Sequence, residues 1–148
     1  MKYYYSIKIN SSAEKVFYWL GTPEKAMVWQ RSVSKTEILK QTPDMTGTTF
    51  KEVIAEDGRS TEMQGIVLNY QKPQLLSMHL EGRYNAVDVE YRLTESEGKT
   101  LLTLNSNIQF KSFMRLFSVI IWPVFKKKLI EQTDREYTRL KQLCEEKQ

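Results

Sequence analysis

Residues 2–9 alternate, with Tyr3, Tyr5, Ile7 and Ile9 on one face and Lys2, Tyr4, Ser6 and Lys8 on the other. This is the period of a strand with one buried side. Asn10-Ser11-Ser12-Ala13-Glu14 follows and reads as a capping box: the Ser11 hydroxyl accepts from the Glu14 N–H and the Glu14 carboxylate reaches back. The helix it opens carries Val16, Phe17 and Leu20 on its apolar stripe. Gly21-Thr22-Pro23-Glu24 ends it and starts a second short helix with Pro at its first position, Trp29 near its end.

From about Ser32 to Ile108 the period is two. Turn signals at Pro43-Asp44, Asp57-Gly58, Lys72-Pro73, Glu81-Gly82 and Glu97-Gly98 divide this stretch into six further strands. In 85–93, Val87, Val89, Tyr91 and Leu93 oppose Asp88, Glu90 and Arg92; in 102–108, Leu104 opposes Thr103 and Asn105. Such strands suit an antiparallel sheet with one wet face. The stretch 61–70 breaks the rule, because Met63 and Val67 share one face while Ile66, Leu68 and Tyr70 share the other; a bulge or burial on both faces accounts for it.

After Lys111-Ser112 the period returns to 3.6. Phe113, Phe117, Ile120, Ile121 and Val124 continue into Leu129, Thr133, Tyr137, Leu140 and Cys144, as one long helix or two stacked pieces. Pro123 predicts a kink or a fresh first turn. The order strand, two short helices, six strands and a long helix predicts an α+β chain whose antiparallel seven-stranded sheet curves around the C-terminal helix, as one domain over 1–148.

Composition narrows the chemistry. One Cys and one His exclude an internal disulfide, cysteine-only metal sites and two-histidine helical motifs, so no metal is expected. The glycines form neither a Walker loop nor a dinucleotide fingerprint, so no nucleotide cofactor is expected. There is no Gly-x-Ser-x-Gly elbow, and Cys144 lies far from His79, which alternation turns away from Leu76, Met78 and Leu80.

Residues 1–110 balance 13 basic against 13 acidic residues, whereas 111–148 hold nine basic and five acidic, so the whole net charge of +4 lies there. Its one dense run, Lys126, Lys127 and Lys128, is short for a nucleic-acid site and reads first as a solvated helix face. The apolar run 116–125 is half the length of a membrane span and reads as a core helix. Trp122, Phe117 and Phe125 beside the lysines also have the composition of an interfacial helix. The N-terminus has neither a continuous apolar region nor a small-residue cleavage site, so a cytoplasmic location is expected.

Ile7-Lys8-Ile9-Asn10-Ser11-Ser12-Ala13-Glu14-Lys15-Val16-Phe17, followed by Thr22-Pro23-Glu24 and Trp29, resembles the opening of the START-related SRPBCC superfamily. So do Tyr70-Gln71-Lys72-Pro73 between two strands and the amphipathic helix that ends the chain. The nearest likeness is to the polyketide cyclase/dehydrase-like branch of these helix-grip, birch-pollen-allergen-like proteins. The resemblance covers nearly the whole chain. It implies a cavity between sheet and long helix that holds a small hydrophobic molecule without a cofactor, in a monomer or weak homodimer.

Parity and helical phase allow Trp29, Phe50, Met63, Met78, Tyr91, Leu104, Phe117 and Ile121 to converge on that cavity. A gate is expected in 113–125 and the loop near Trp29. Glu52 shares parity with Phe50 and Ile54 and is the one strand carboxylate placed to point inward. Burial of such a carboxyl raises its pKa toward that of a general base. Three readings follow: a carrier or sensor of an apolar ligand; a cyclase, dehydratase or hydrolase using Glu52 or Tyr91; or a module that docks on a partner or membrane through Trp122, Phe125 and Lys126–Lys128.

Overall fold

The structure, a computed structural model, describes residues 1–56, 58–111 and 113–146. Asp57 of the expected Asp57-Gly58 turn, Ser112, Lys147 and Gln148 lie outside the described residues, as do the side chains of Glu56 and Phe113.

The elements run β1 (Lys2–Ile9), α1 (Ala13–Gly21), α2 (Pro23–Trp29), β2 (Val33–Lys40), β3 (Thr49–Glu56), β4 (Arg59–Gln71), β5 (Leu75–Glu81), β6 (Asn85–Ser96), β7 (Lys99–Phe110), α3 (Phe113–Leu116) and α4 (Ser118–Glu145). The strands form one sheet in the order β1-β7-β6-β5-β4-β3-β2, every neighbour antiparallel. The α+β helix-grip layout expected from the sequence is the one observed. At the β6–β7 turn both Glu97 and Gly98 take positive φ, the twist a two-residue hairpin needs.

The first helix is capped one residue later than the box predicted. Ser12, not Ser11, accepts from the Lys15 N–H at 3.2 Å, and the Ala13 N–H donates to Glu95 Oε1 of β6 at 2.6 Å. A carboxylate from a distant strand thus satisfies the N–H of the first helical residue, a different donor from the Ser11 N–H that Glu14 was expected to reach, which goes to the Ile9 carbonyl. Val16, Phe17 and Leu20 are buried as their spacing requires.

The irregular stretch in β4 is a bulge. Val67 pairs with Met78 and Asn69 with Ser77, which leaves Leu68 over and reverses parity. Met63, Gly65 and Val67 therefore point inward before it, and Tyr70 after it, where its ring meets Phe17 edge-on at 5.2 Å. Leu68 stays exposed.

Two expectations for the C-terminal segment are corrected. The helix breaks before Ser118, where Phe117 takes φ −100° and ψ 3°, and then runs through Pro123 without a fresh start. Pro123 lies in the second turn, near the end where a helix already lacks partners for its first N–H groups, so one further missing bond is tolerated. The run 116–125 is not a core helix: Leu116, Phe117, Val119, Ile120 and Val124 are exposed. The buried face of α4 comes later, at Thr133, Glu136, Tyr137, Leu140, Leu143 and Cys144.

Phe50 pairs with Gly65 across β3 and β4, and its ring lies so close that a Cβ at Gly65 would stand 2.2 Å from Phe50 Cζ. Gly65→Ala is expected to displace that ring and cost about 1–3 kcal/mol, typical of overpacking. Urea unfolding measures it, and an unchanged midpoint would contradict the packing described.

Candidate functional site

The concave face of the sheet is covered by α4 only in part. Toward the helix C-terminus the cover is tight: Tyr137 packs on Trp29 at 4.9 Å and on Tyr5 at 5.4 Å between ring centroids, and its hydroxyl meets that of Tyr91 at 2.8 Å. Toward the N-terminus the helix stands off, and a cavity of about 980 Å³ remains between it and strands β3 to β7. That is the upper end of the range usual for small-molecule sites.

Met63, Met78, Leu80, Val87, Val89, Leu104 and Ile108 form the sheet wall, and Met114, Ile121, Phe125 and Leu129 form the helix wall. Flexible thioethers on two adjacent strands let such a wall adapt to varied apolar shapes.

Polar groups also line the cavity, among them Arg59, Ser60 and Thr61 of β4, Asn85 of β6 and a hydrogen-bonded cluster on α4. Glu136 Oε1 accepts from Ser32 Oγ at 2.9 Å and from Gln132 Nε2 at 2.8 Å, and Gln132 Nε2 also reaches Ser32 Oγ at 2.9 Å. Glu52 and the Tyr91–Tyr137 pair line the same cavity. Burial alone pushes the Glu52 carboxyl up to about 7. Burial also raises the Tyr91 and Tyr137 hydroxyls, with Glu52 and Glu136 nearby disfavouring a second negative charge at Tyr91. Both tyrosines are therefore neutral hydrogen-bonding groups at physiological pH, while Glu52 exchanges its proton near neutrality.

Of the eight residues expected to converge, Met63, Met78, Tyr91, Leu104 and Ile121 line this cavity, as does Glu52. Three do not. Trp29 is fully buried in the core with its Nε1 donating to the Trp19 carbonyl at 3.0 Å. Phe50 sits over Gly65 and lines a smaller pocket of about 80 Å³ that shares Gln30, Glu52, Met78 and Tyr91 with the large cavity. Phe117 is exposed at the start of α4. Of Trp122 and Phe125, expected on a docking face, Phe125 lines the cavity, edge-on to Phe110 at 5.5 Å, and Trp122 is half-buried and stacked on Phe125 at 6.0 Å.

The polar cluster was overlooked, although Glu136 had a signal: it shares the helical face of Thr133 and Leu140, a carboxylate on an otherwise buried stripe. Ser32 had none, since a serine in a turn is ordinary.

Elsewhere the chemistry is sparse. Burial pushes the Cys144 thiol up to about 12, unfit for a nucleophile. His79 lies outside the cavity, its Nδ1 2.6 Å from Asp88 Oδ1 and its Nε2 2.7 Å from Glu81 Oε1, and these hydrogen bonds raise its pKa. No group of three or more metal-binding side chains occurs among the described residues.

A curved antiparallel sheet gripping a C-terminal helix over an apolar cavity defines a START-like, helix-grip protein. The chain belongs to the family described as polyketide cyclase / dehydrase and lipid transport, whose sequence profile matches residues 1–145.

Among solved structures it is similar to the Zhui aromatase/cyclase of a Streptomyces species, at TM-score 0.82 and 9% identity, covering 98% of this chain and 93% of that one. A START superfamily protein from Mycobacterium smegmatis matches at TM-score 0.75 and 14% identity, covering 96% and 98%. A Thermus thermophilus protein matches at 0.77 and 12%, covering 96% and 95%. Identities this low speak for the fold alone. Comparison with curated proteins gives no match.

Glu52 makes stability depend on pH. The folded chain holds the proton up to about 7, the unfolded chain only up to its ordinary 4.5, so stability falls as pH rises across that window and is level with respect to this group above it. The slope is at most about 1.4 kcal/mol per pH unit. Glu52→Gln is expected to flatten this fall and to raise the melting temperature at pH 8. An unchanged profile would contradict a desolvated carboxyl.

Proposed function

We propose that the chain binds one small apolar or amphipathic molecule in the cavity between sheet and helix, and carries, sequesters or senses it without a cofactor. The observation that carries this reading is the cavity itself: about 980 Å³, walled largely by methionine, valine, leucine and isoleucine, with polar groups that include Glu52 and Glu136. Burial of the ligand's apolar part supplies the driving force at about 25 cal/mol per Å², offset by the cost of immobilising it. The polar groups fix its orientation, Glu52 accepting from a ligand hydroxyl or amine when ionised and donating when protonated.

A second reading is supported by one observation. A carboxyl whose proton is balanced near pH 7, lining the same cavity as the Tyr91 hydroxyl, suits general acid–base chemistry on a bound hydrophobic substrate. Glu52 is the residue that would carry it, with Tyr91 holding a substrate oxygen.

Native mass spectrometry of gently purified protein separates these readings. A defined co-purifying mass that persists in both wild type and Glu52→Gln is expected of a carrier; one that is consumed by wild type and persists only in the variant is expected of an enzyme. Val89→Trp, which fills the sheet wall, is expected to weaken uptake of an apolar dye such as anilinonaphthalene sulfonate by about tenfold or more while the fold is kept. Dye affinity unchanged by that substitution would count against the cavity as the binding site.

A further inference from the structure

The end of α3 and the first two turns of α4 carry a surface that the cavity does not account for. Leu116 is 81% exposed, Val119 79%, Ile120 74% and Val124 64%, with Phe117 half exposed beside them. Contiguous aliphatic side chains this open to water are unusual for a surface that stays wet. One turn further on, Lys126, Lys127 and Lys128 are all exposed, and Arg115 is exposed on the other side of the patch. No Asp or Glu occurs anywhere between Gly98 and Ile130. Among the described residues nearby, Lys111 is engaged by Glu81 and the Gly82 carbonyl.

We propose that α3 and the first turns of α4 form a docking surface for an anionic lipid bilayer. The aliphatic side chains enter the boundary between headgroups and acyl chains, which amphipathic helices reach to a depth of about 5–10 Å. Lys127 lies about 10 Å along the helix axis from Ile120, so the lysines border the aliphatic patch within reach of the same headgroups. Charge decides for this occupant over a second copy of the chain. A two-fold pair across the aliphatic patch would bring Arg115 and the three lysines toward their own counterparts, four cations on each side with Glu131 at the edge of the run as the nearest carboxylate in sequence. A phosphate surface offers those cations counter-charges at any rotation. No helix of the described chain is long and apolar enough to cross a membrane, so the contact is peripheral.

The same turns present their opposite face to the cavity through Met114, Ile121 and Phe125. Docking therefore places one wall of the cavity against the bilayer, from which an apolar ligand is drawn or to which it is delivered. That last step rests on the ligand reading; docking itself does not. It is measured on vesicles, whereas cavity occupancy is measured in water, so failure of one leaves the other standing.

The test is co-sedimentation with vesicles of phosphatidylcholine alone and of phosphatidylcholine with phosphatidylglycerol in equal parts. Binding to the mixed vesicles is expected, with little to the neutral ones and most of it lost when salt is raised to about 0.5 M. Changing the three lysines to Gln is expected to weaken it on the order of 100-fold, and Ile120→Ser with Val124→Ser to abolish it without lowering the melting temperature. Equal binding to both vesicle types, insensitivity to salt, or no binding at all would overturn the proposal. So would a dimer in sedimentation equilibrium that the two serine substitutions disperse. The lipid and salt comparisons use unmodified protein and stand whatever the variants do.

Discussion

Tyr137 fixes where the helix meets the sheet, and the rest of the site depends on that contact. Its ring lies against Trp29 and Tyr5 while its hydroxyl shares a hydrogen bond with Tyr91 on β6. Two buried phenols have few ways to satisfy their polar ends, and pairing them gives each oxygen a partner, one donating and the other accepting. The corner between β1 and α1 holds the same end of the helix, since the Asn10 N–H donates to Glu145 Oε2 and the Lys15 ammonium to the Glu146 carbonyl. With α4 tied down over its last turns, curvature of the sheet opens a gap under its first ones. The cavity follows from an anchor at one end of the helix and a bulged, twisted sheet at the other.

That geometry also sorts the polar groups. Glu136 sits one residue before Tyr137, so the turn that anchors the helix also delivers a carboxylate to the cavity, where Ser32 and Gln132 hold it. Glu52 arrives from β3, where strand parity turns it inward, and its environment leaves it close to balance between charged and neutral forms. A cavity with an apolar wall and polar groups from α4, β3 and the start of β4 favours amphipathic ligands, which have both surfaces to match.

Much of this was legible in the residues. Alternation placed all seven strands, and the misfit in 61–70 pointed to a bulge or to burial on both faces, of which the structure has the bulge, at Leu68. Parity also picked Glu52. The failures share a cause as well: Trp29, Phe50 and Phe117 have the hydrophobicity of cavity residues, but whether a large ring fills the core, covers a glycine or faces water depends on how near the next element packs. The exposed start of α4 was misread for the same reason. Its period matches that of the buried half, and only the distance between helix and sheet, which no local pattern encodes, separates the two.

The central claim is that an apolar molecule occupies the space between α4 and the sheet, and the methionines report on it directly. Met63, Met78 and Met114 line the cavity, whereas Met27 lies outside it on α2. With methyl-labelled methionine, titration of a medium-chain alcohol such as decanol should shift the resonances of Met63, Met78 and Met114 together in a saturable way and leave Met27 in place. Saturable shifts confined to Met27, or none at Met63 and Met78, would contradict the account.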